Sequence, residues 1–259
     1  MYEYALMFIL GSILASFIHV YVTRILKGES IIKPRSHCTN CGHPLRWYEL
    51  IPIFSYLVQG GKCSKCKAKI GLDSLLSEVL LGLLFVVVYA RYGMSYETLI
   101  GLVIACMLLS IFISDFREMI ILDSTLIVSG LLYYIIIFIN LGIKRGVYKS
   151  FLYGIFGFVL LFVVKVIGDK LFKRESLGGG DIKLAFIMGS ILPYNLFLIS
   201  LIGGSILALP YALITTQKTK SHELSFGPFL VLALLIVFLL KDDIINILNI
   251  ITEIERVIL

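Results

Sequence analysis

The sequence predicts an all-α polytopic membrane protein of about eight transmembrane helices, with one small polar loop domain near the N-terminus. Three observations predict it. Hydrophobic residues make up 59% of the 259 and charged residues only 15%, more apolar surface than a soluble chain of this length can bury. The apolar residues come in runs close to the ~20 needed to cross a bilayer. The basic residues crowd into one stretch, Arg24 to Lys69, the pattern of a loop kept on the cytoplasmic side.

The elements follow in order. Residues 1–25 form the first span, read as retained because Ala15-Ser16-Phe17 lacks a clean cleavage pattern. Residues 26–74 form a polar, basic, cysteine-bearing loop. Residues 75–243 hold the remaining spans, about 75–89, 98–114, 119–141, 150–167, two within 182–215, and 229–240. One helix over 182–215 would be ~50 Å long at 1.5 Å per residue, too long for a ~30 Å hydrocarbon core. Pro193-Tyr194-Asn195 offers the break. Residues 244–259 place Ile244, Leu248, Ile251, Ile254 and Ile258 near helical spacing, as in an amphipathic helix on a membrane surface. No internal repeat is evident.

If the basic loop is cytoplasmic, alternation brings three further segments to the same side: Asp115–Glu118 as a tight charged turn, Asp169–Gly180, and Gln217–Glu223. Lys170, Lys173, Arg174, Lys218 and Lys220 agree with that side, whereas Lys144, Arg145 and Lys149 dissent. The net charge of +6 therefore reads as topology. Membrane lipid is the expected partner, and nucleic acid is not.

This topology brings two carboxylates to one membrane face. Asp115 ends the third span, and Asp181 follows Gly178-Gly179-Gly180 at the start of the sixth. Ionisable groups at a bilayer edge are costly and usually functional. Two carboxylates can share a water, one acting as base while the other, protonated, polarises a carbonyl. Two plainer readings stand beside this one. Asp181 could be a helix N-cap, and Asp115 could be an interfacial charge pairing with Arg117. Asp123 lies ~12 Å along any shared helix from Asp115, too far to form the dyad with it.

Cys38-x-x-Cys41 and Cys63-x-x-Cys66, 21 residues apart, suit tetrahedral thiolate coordination of zinc. Disulfides are the alternative, disfavoured in a reducing compartment. Four sulfurs close the site, so the metal is structural, and His37 and His43 are bystanders. Cys106, inside an apolar run, is a packing residue. His19, also on an apolar span, reads as a buried histidine rather than a catalyst.

Asp115-Phe116-Arg117 with Ile120-Ile121-Leu122-Asp123 resembles the first aspartate motif of type IV prepilin peptidases. Gly178-Gly179-Gly180-Asp181-Ile182-Lys183-Leu184 resembles their second, the Gly-x-Gly-Asp motif also found in presenilin-type proteases. Ser225-Phe226-Gly227-Pro228 matches a further signature. In the N-terminal half, Gly11 to Phe17 leading to Arg24, the cysteine pairs, Leu50-Ile51-Pro52-Ile53 and Glu78 match in order. The resemblance implies a bacterial cytoplasmic-membrane aspartic endopeptidase with its active site on the cytoplasmic side. Its substrates would be type IV prepilin or pseudopilin precursors. Asp115 and Asp181 would be catalytic, with Gly178, Gly180, Lys183, Asp123 and Glu78 supporting. It also implies methylation of the new N-terminus by S-adenosyl-L-methionine, with no residue assigned to that cofactor. The family usually has Asn where His19 stands, and often where Glu49 stands; both departures fall in the half that the family associates with methylation. The alternatives are a presenilin-like intramembrane protease and an ion- or proton-coupled transporter.

Overall fold

The structure is a computed structural model and describes residues 1–173, 175–219 and 225–258. It is an all-α membrane protein. Its helices are α1 Tyr2–Leu26, α2 Phe54–Val58, α3 Leu72–Tyr92, α4 Tyr96–Glu118, α5 Asp123–Gly142, α6 Lys149–Phe172, α7 Gly179–Ile191, α8 Tyr194–Thr219, α9 Gly227–Leu239 and α10 Lys241–Ile258. No strand occurs among the described residues, only isolated bridges at His37–Pro44 and Lys62–Lys69. Five helical segments are long and apolar enough to cross a membrane.

One of those five is the continuous run Asp123–Phe172, and it is a hairpin rather than a rod. Tyr133 Oη lies 2.8 Å from Ser150 Oγ, whereas 17 residues of straight helix would separate them by ~25 Å. The chain reverses at Gly142, whose φ of +71° suits glycine, and at the π-helical turn Ile143–Tyr148. Lys144, Arg145 and Lys149 sit at this tip.

The layers follow from which helix is apolar all round. α9 is buried over nine of its thirteen residues and α4 over two-thirds of its span, so these two form the centre. α4 packs against α1, α3, α5 and α9; α9 packs against α4, α7 and α8; α6 covers α7. Phe197, Leu184, Met188, Leu230, Leu234, Ile104 and Ile111 fill the shared core. Leu81, Phe85, Ala15 and Ala105 form a second cluster among α1, α3 and α4. On the α1–α3 seam, Ser12 Oγ donates to the Glu78 carbonyl at 3.1 Å.

Several expectations change. Asp115–Glu118 is not a turn: α4 runs through Glu118 and stops at Met119, left-handed at φ 53°, whose N–H bonds the Asp115 carbonyl at 2.9 Å. The break near Pro193 is present, with α7 ending at Ile191 and α8 starting at Tyr194. α8 runs on to Thr219, past the expected stop near 215. Arg174, Lys220 and Glu223 lie outside the described residues. The expected amphipathic tail 244–259 falls on α10, Lys241–Ile258, with Leu259 outside the described residues. Ile247, Ile250 and Ile251 are exposed, and its start is held by Arg91 Nη2–Asp243 Oδ2 at 2.6 Å.

Candidate active site and metal centre

Three helix ends and one extended segment build a cavity of about 990 Å³ at one end of the bundle. Its wall includes Asp115, Ile120 to Asp123, Glu175 to Asp181, Lys183 and Phe226. Asp115 and Asp181, 66 positions apart in sequence, thus face one space. Asp115 is only 5% exposed. Its Oδ2 accepts a 2.8 Å hydrogen bond from Ser225 Oγ.

Local sequence explains how Asp181 arrives. α6 ends at Lys173, left-handed at φ 52°. Asp169 Oδ1 then accepts both the Ser176 amide at 2.7 Å and the Ser176 hydroxyl at 2.8 Å. Lys165 Nζ donates to the Leu177 carbonyl at 2.9 Å. The segment 175–177 is thereby tied back to α6 and delivers the three glycines into α7. Gly178 is the N-cap residue of α7, so the N-cap reading of Asp181 fails. Asp181 lies in the first turn instead, where free N–H groups and the helix dipole favour a carboxylate.

The glycines matter for approach. A Cβ on Gly180 would fall 2.9 Å from Ile121 Cβ, and one on Gly227 would fall 2.9 Å from Ile121 Cδ1 and 3.3 Å from Asp115 Oδ2. Ile121 is therefore wedged between the backbone that carries Asp181 and the backbone against Asp115. Gly179 meets nothing within 4 Å. The alternative of an Asp115–Arg117 pairing is not met: Arg117 Nη2 bonds Asp73 Oδ2 at 2.9 Å, joining α4 to the start of α3. Lys183 Nζ bonds both oxygens of Asp123, at 2.7 and 2.8 Å.

Glu78 lies elsewhere. It is buried in the second turn of α3, and its Oε2 accepts the Ile53 amide at 2.7 Å. Ile53 is β-branched and holds φ 62°, a conformation such residues rarely adopt unless surroundings impose it. Glu78 thus anchors the polar loop to the bundle. His19 Nδ1 lies 3.5 Å from Ser77 Oγ, apart from the cavity wall.

Sequence reasoning gave no role to Ser225, Lys165, Asp169, Ser176 or Ile121. The Ser225-Phe226-Gly227-Pro228 signature pointed at the first of these. Ile121 lies inside the first aspartate motif, and Lys165, Asp169 and Ser176 carry no local signal.

The four cysteines converge. Their sulfurs lie within 4.8 Å of one another, with Cys38–Cys66 at 3.8 Å and Cys41–Cys63 at 4.0 Å. Tetrahedral Zn–S bonds of ~2.3 Å require sulfur separations of ~3.8 Å, so the set fits a metal ion. Both pairs use one local fold. The amides of Cys38 and Cys63 bond the carbonyls of His43 and Ala68, and those of Gly42 and Lys67 return to Cys38 and Cys63. Gly42 and Lys67 are both left-handed. This is a structural repeat that the sequence does not display. The Cys41 and Asn40 amides hold the Cys38 thiol below its ordinary value, and the Ala68 amide with the Asn40 side chain holds Cys66 down to about 6, whereas at Cys41 the His43 amide is outweighed by burial and the three neighbouring thiols, which push it up to about 11. Thiolate is the metal-binding form. His37 and His43 stay outside the sulfur set.

Comparison with known proteins agrees with this architecture. A model of the bacterial peptidase A24 N-terminal domain matches residues 9–92, and one of the type IV leader peptidase family matches residues 102–213. A prepilin leader peptidase/N-methyltransferase of Bacillus subtilis is 30% identical over 93% of this chain and 96% of its own length. One from Pseudomonas putida is 32% identical, over 82% of this chain and 74% of its own. One from Myxococcus xanthus is 35% identical over 74% of this chain. The match spans 57% of that relative's length. No solved structure matches the chain. With two family models in register along it, and a relative aligned nearly end to end, the chain belongs to the type IV leader peptidase family.

Proposed function

We propose that this protein is a membrane aspartic endopeptidase that removes the leader peptide of type IV prepilins and prepilin-like proteins at the cytoplasmic face of the membrane. The observation that carries the reading is the shared cavity of Asp115 and Asp181. One carboxylate takes a proton from the attacking water. The other, protonated, donates to the scissile carbonyl as the tetrahedral species forms. Ser225 fixes the direction of Asp115 through its hydroxyl. A transporter would need carboxylates deep along a path, whereas these two stand at helix ends.

The topology that goes with this reading has eight spans: α1 and α3 to α9. α7 and α9, at thirteen residues each, are ~20 Å long, short of a ~30 Å core. Their ends are tolerable because they lie against protein and cavity rather than lipid. The cysteine loop, the end of α4 and the start of α7 share one end of the bundle, assigned to the cytoplasm by the basic loop. Cys38, Cys41, Cys63 and Cys66 would hold zinc, which contributes folding energy to residues 26–74. The relatives' names carry a second activity, N-methyltransferase; in this protein it would methylate the new N-terminus, with S-adenosyl-L-methionine as the donor.

Incubating the protein in lipid nanodiscs with a prepilin, and weighing the product, tests both steps. Loss of the leader is expected, followed by gain of a methyl group. Full cleavage by Asp115→Asn or Asp181→Asn protein would overturn the peptidase assignment.

A further inference from the structure

We propose that Asp123 and Lys183 form a positioning clamp that sets the separation of Asp115 and Asp181, an inference that rests on the reading of those two as the peptidase dyad. Lys183 bonds both carboxylate oxygens of Asp123, at 2.7 and 2.8 Å, across 60 positions of sequence. The pair stands where two helix N-termini meet. α5 begins at Asp123 and α7 at Gly179. Each end carries positive potential, and Lys183, at the start of the second turn of α7, adds a full charge. Without a counter-charge these ends repel. Asp123 supplies it to both helices at once, and both clamp residues line the cavity that holds the dyad.

The clamp reaches the dyad through Ile121. That residue lies two positions before Asp123, in the short segment between α4 and α5. Its side chain fills the gap between Gly180, next to Asp181, and Gly227, against Asp115. Drawing Asp123 toward α7 seats Ile121 in that gap. Releasing it frees the segment 120–122 to back out, and the space between the two carboxylates changes. The pair itself is more than half exposed, with side chains 60% and 54% accessible for Asp123 and Lys183. Exposed ion pairs add little to stability, so a stabilising role alone would leave activity untouched when the pair is removed.

Cleavage of a prepilin in nanodiscs by Asp123→Asn, Lys183→Met and the double variant tests this, with Asp115→Asn as reference. Misplacement of reacting groups by ~1 Å costs up to ~100-fold. We therefore expect each single variant to lose roughly tenfold or more in kcat, with KM within about twofold and an unchanged melting temperature. The double variant should lose no more than the worse single one, since both remove one interaction. The reversed pair, Asp123→Lys with Lys183→Asp, should recover part of the loss. Undiminished kcat in the single variants, losses that multiply in the double, or a reversed pair no better than either single would each overturn the clamp. Cleavage by Asp115→Asn would instead overturn the dyad reading beneath it.

Discussion

Ser225 and Asp115 are 110 positions apart in sequence, yet the Ser225 hydroxyl donates to Asp115 Oδ2 at 2.8 Å, with the residues only 2% and 5% exposed. This bond joins the segment leading into α9 to the last turn of α4. A hydrogen bond contributes about 0.5–1.5 kcal/mol, rising to about 3 kcal/mol when the acceptor is charged. Ser225→Ala should therefore lower prepilin cleavage about 3- to 100-fold while the protein stays folded, and Ser225→Thr should keep most of it. Full activity in the alanine variant would remove Ser225 from the site.

Two neighbouring glycines should respond differently. A Cβ on Gly179 meets open space, whereas one on Gly180 meets Ile121 Cβ at 2.9 Å. A β-branched Cβ next to the backbone has no rotamer that yields. Gly179→Ala should cleave normally. Gly180→Ala should lose most activity and about 1–3 kcal/mol of stability, as overpacked sites do. Cleavage assays and thermal melts of the two variants check this, and equal behaviour would contradict the geometry.

The sulfur cluster predicts about one zinc per chain by metal analysis. Cys38→Ser or Cys63→Ser should release it and loosen residues 26–74 while the bundle persists, read as protease nicking confined to the loop. A folded, active preparation free of metal would show that the cysteines serve otherwise.

Glu49 gives the loop an acid limit. Its carboxyl lies below the ordinary 4.5, chiefly through the Arg46 amide, then Ser64, with smaller help from the charges of His43 and Arg46. The Arg46 amide bonds Oε2 at 2.7 Å. The unfolded loop then takes up a proton more readily than the folded one. This contribution is whole above pH 4.5 and is lost as pH falls through the lower folded value. Fluorescence of Trp47, the single tryptophan, should report loosening over that range. Glu49→Gln should start less stable and lose that part of the acid dependence. An unchanged profile would assign the acid response to metal release alone.

Sidedness follows from the hairpin α5–α6. Arg145 lies at its tip and Glu175 beyond its far end, and both are exposed. Cysteines at these two positions, in Cys106→Ala protein with the loop cysteines occupied by metal, should react with an impermeant reagent from opposite sides. Reaction from the same side would break the eight-span topology.

The membrane class and much of the helix order were legible in the sequence, because spanning a bilayer demands run length and apolarity, which are local properties. The cysteine spacing was legible for the same reason: each Cys-x-x-Cys closes on itself through amides a few residues away. Asp115 and Asp181 were legible as residue types at run boundaries and as parts of motifs. Their immediate partners were not. Arg117 is two residues from Asp115 but pairs with Asp73, 44 positions away. Lys183 is two from Asp181 but pairs with Asp123, and Ser225 reaches Asp115 across the whole second half of the chain. Helix geometry forbids side chains two apart from facing each other, so each of these groups had to find its partner on another element. Composition and run length made this chain a membrane bundle with carboxylates at helix ends. Only the packing of α4, α7 and α9 around Ile121 decided that the carboxylates share one cavity, because contacts between distant helices depend on crossing positions that no local pattern encodes.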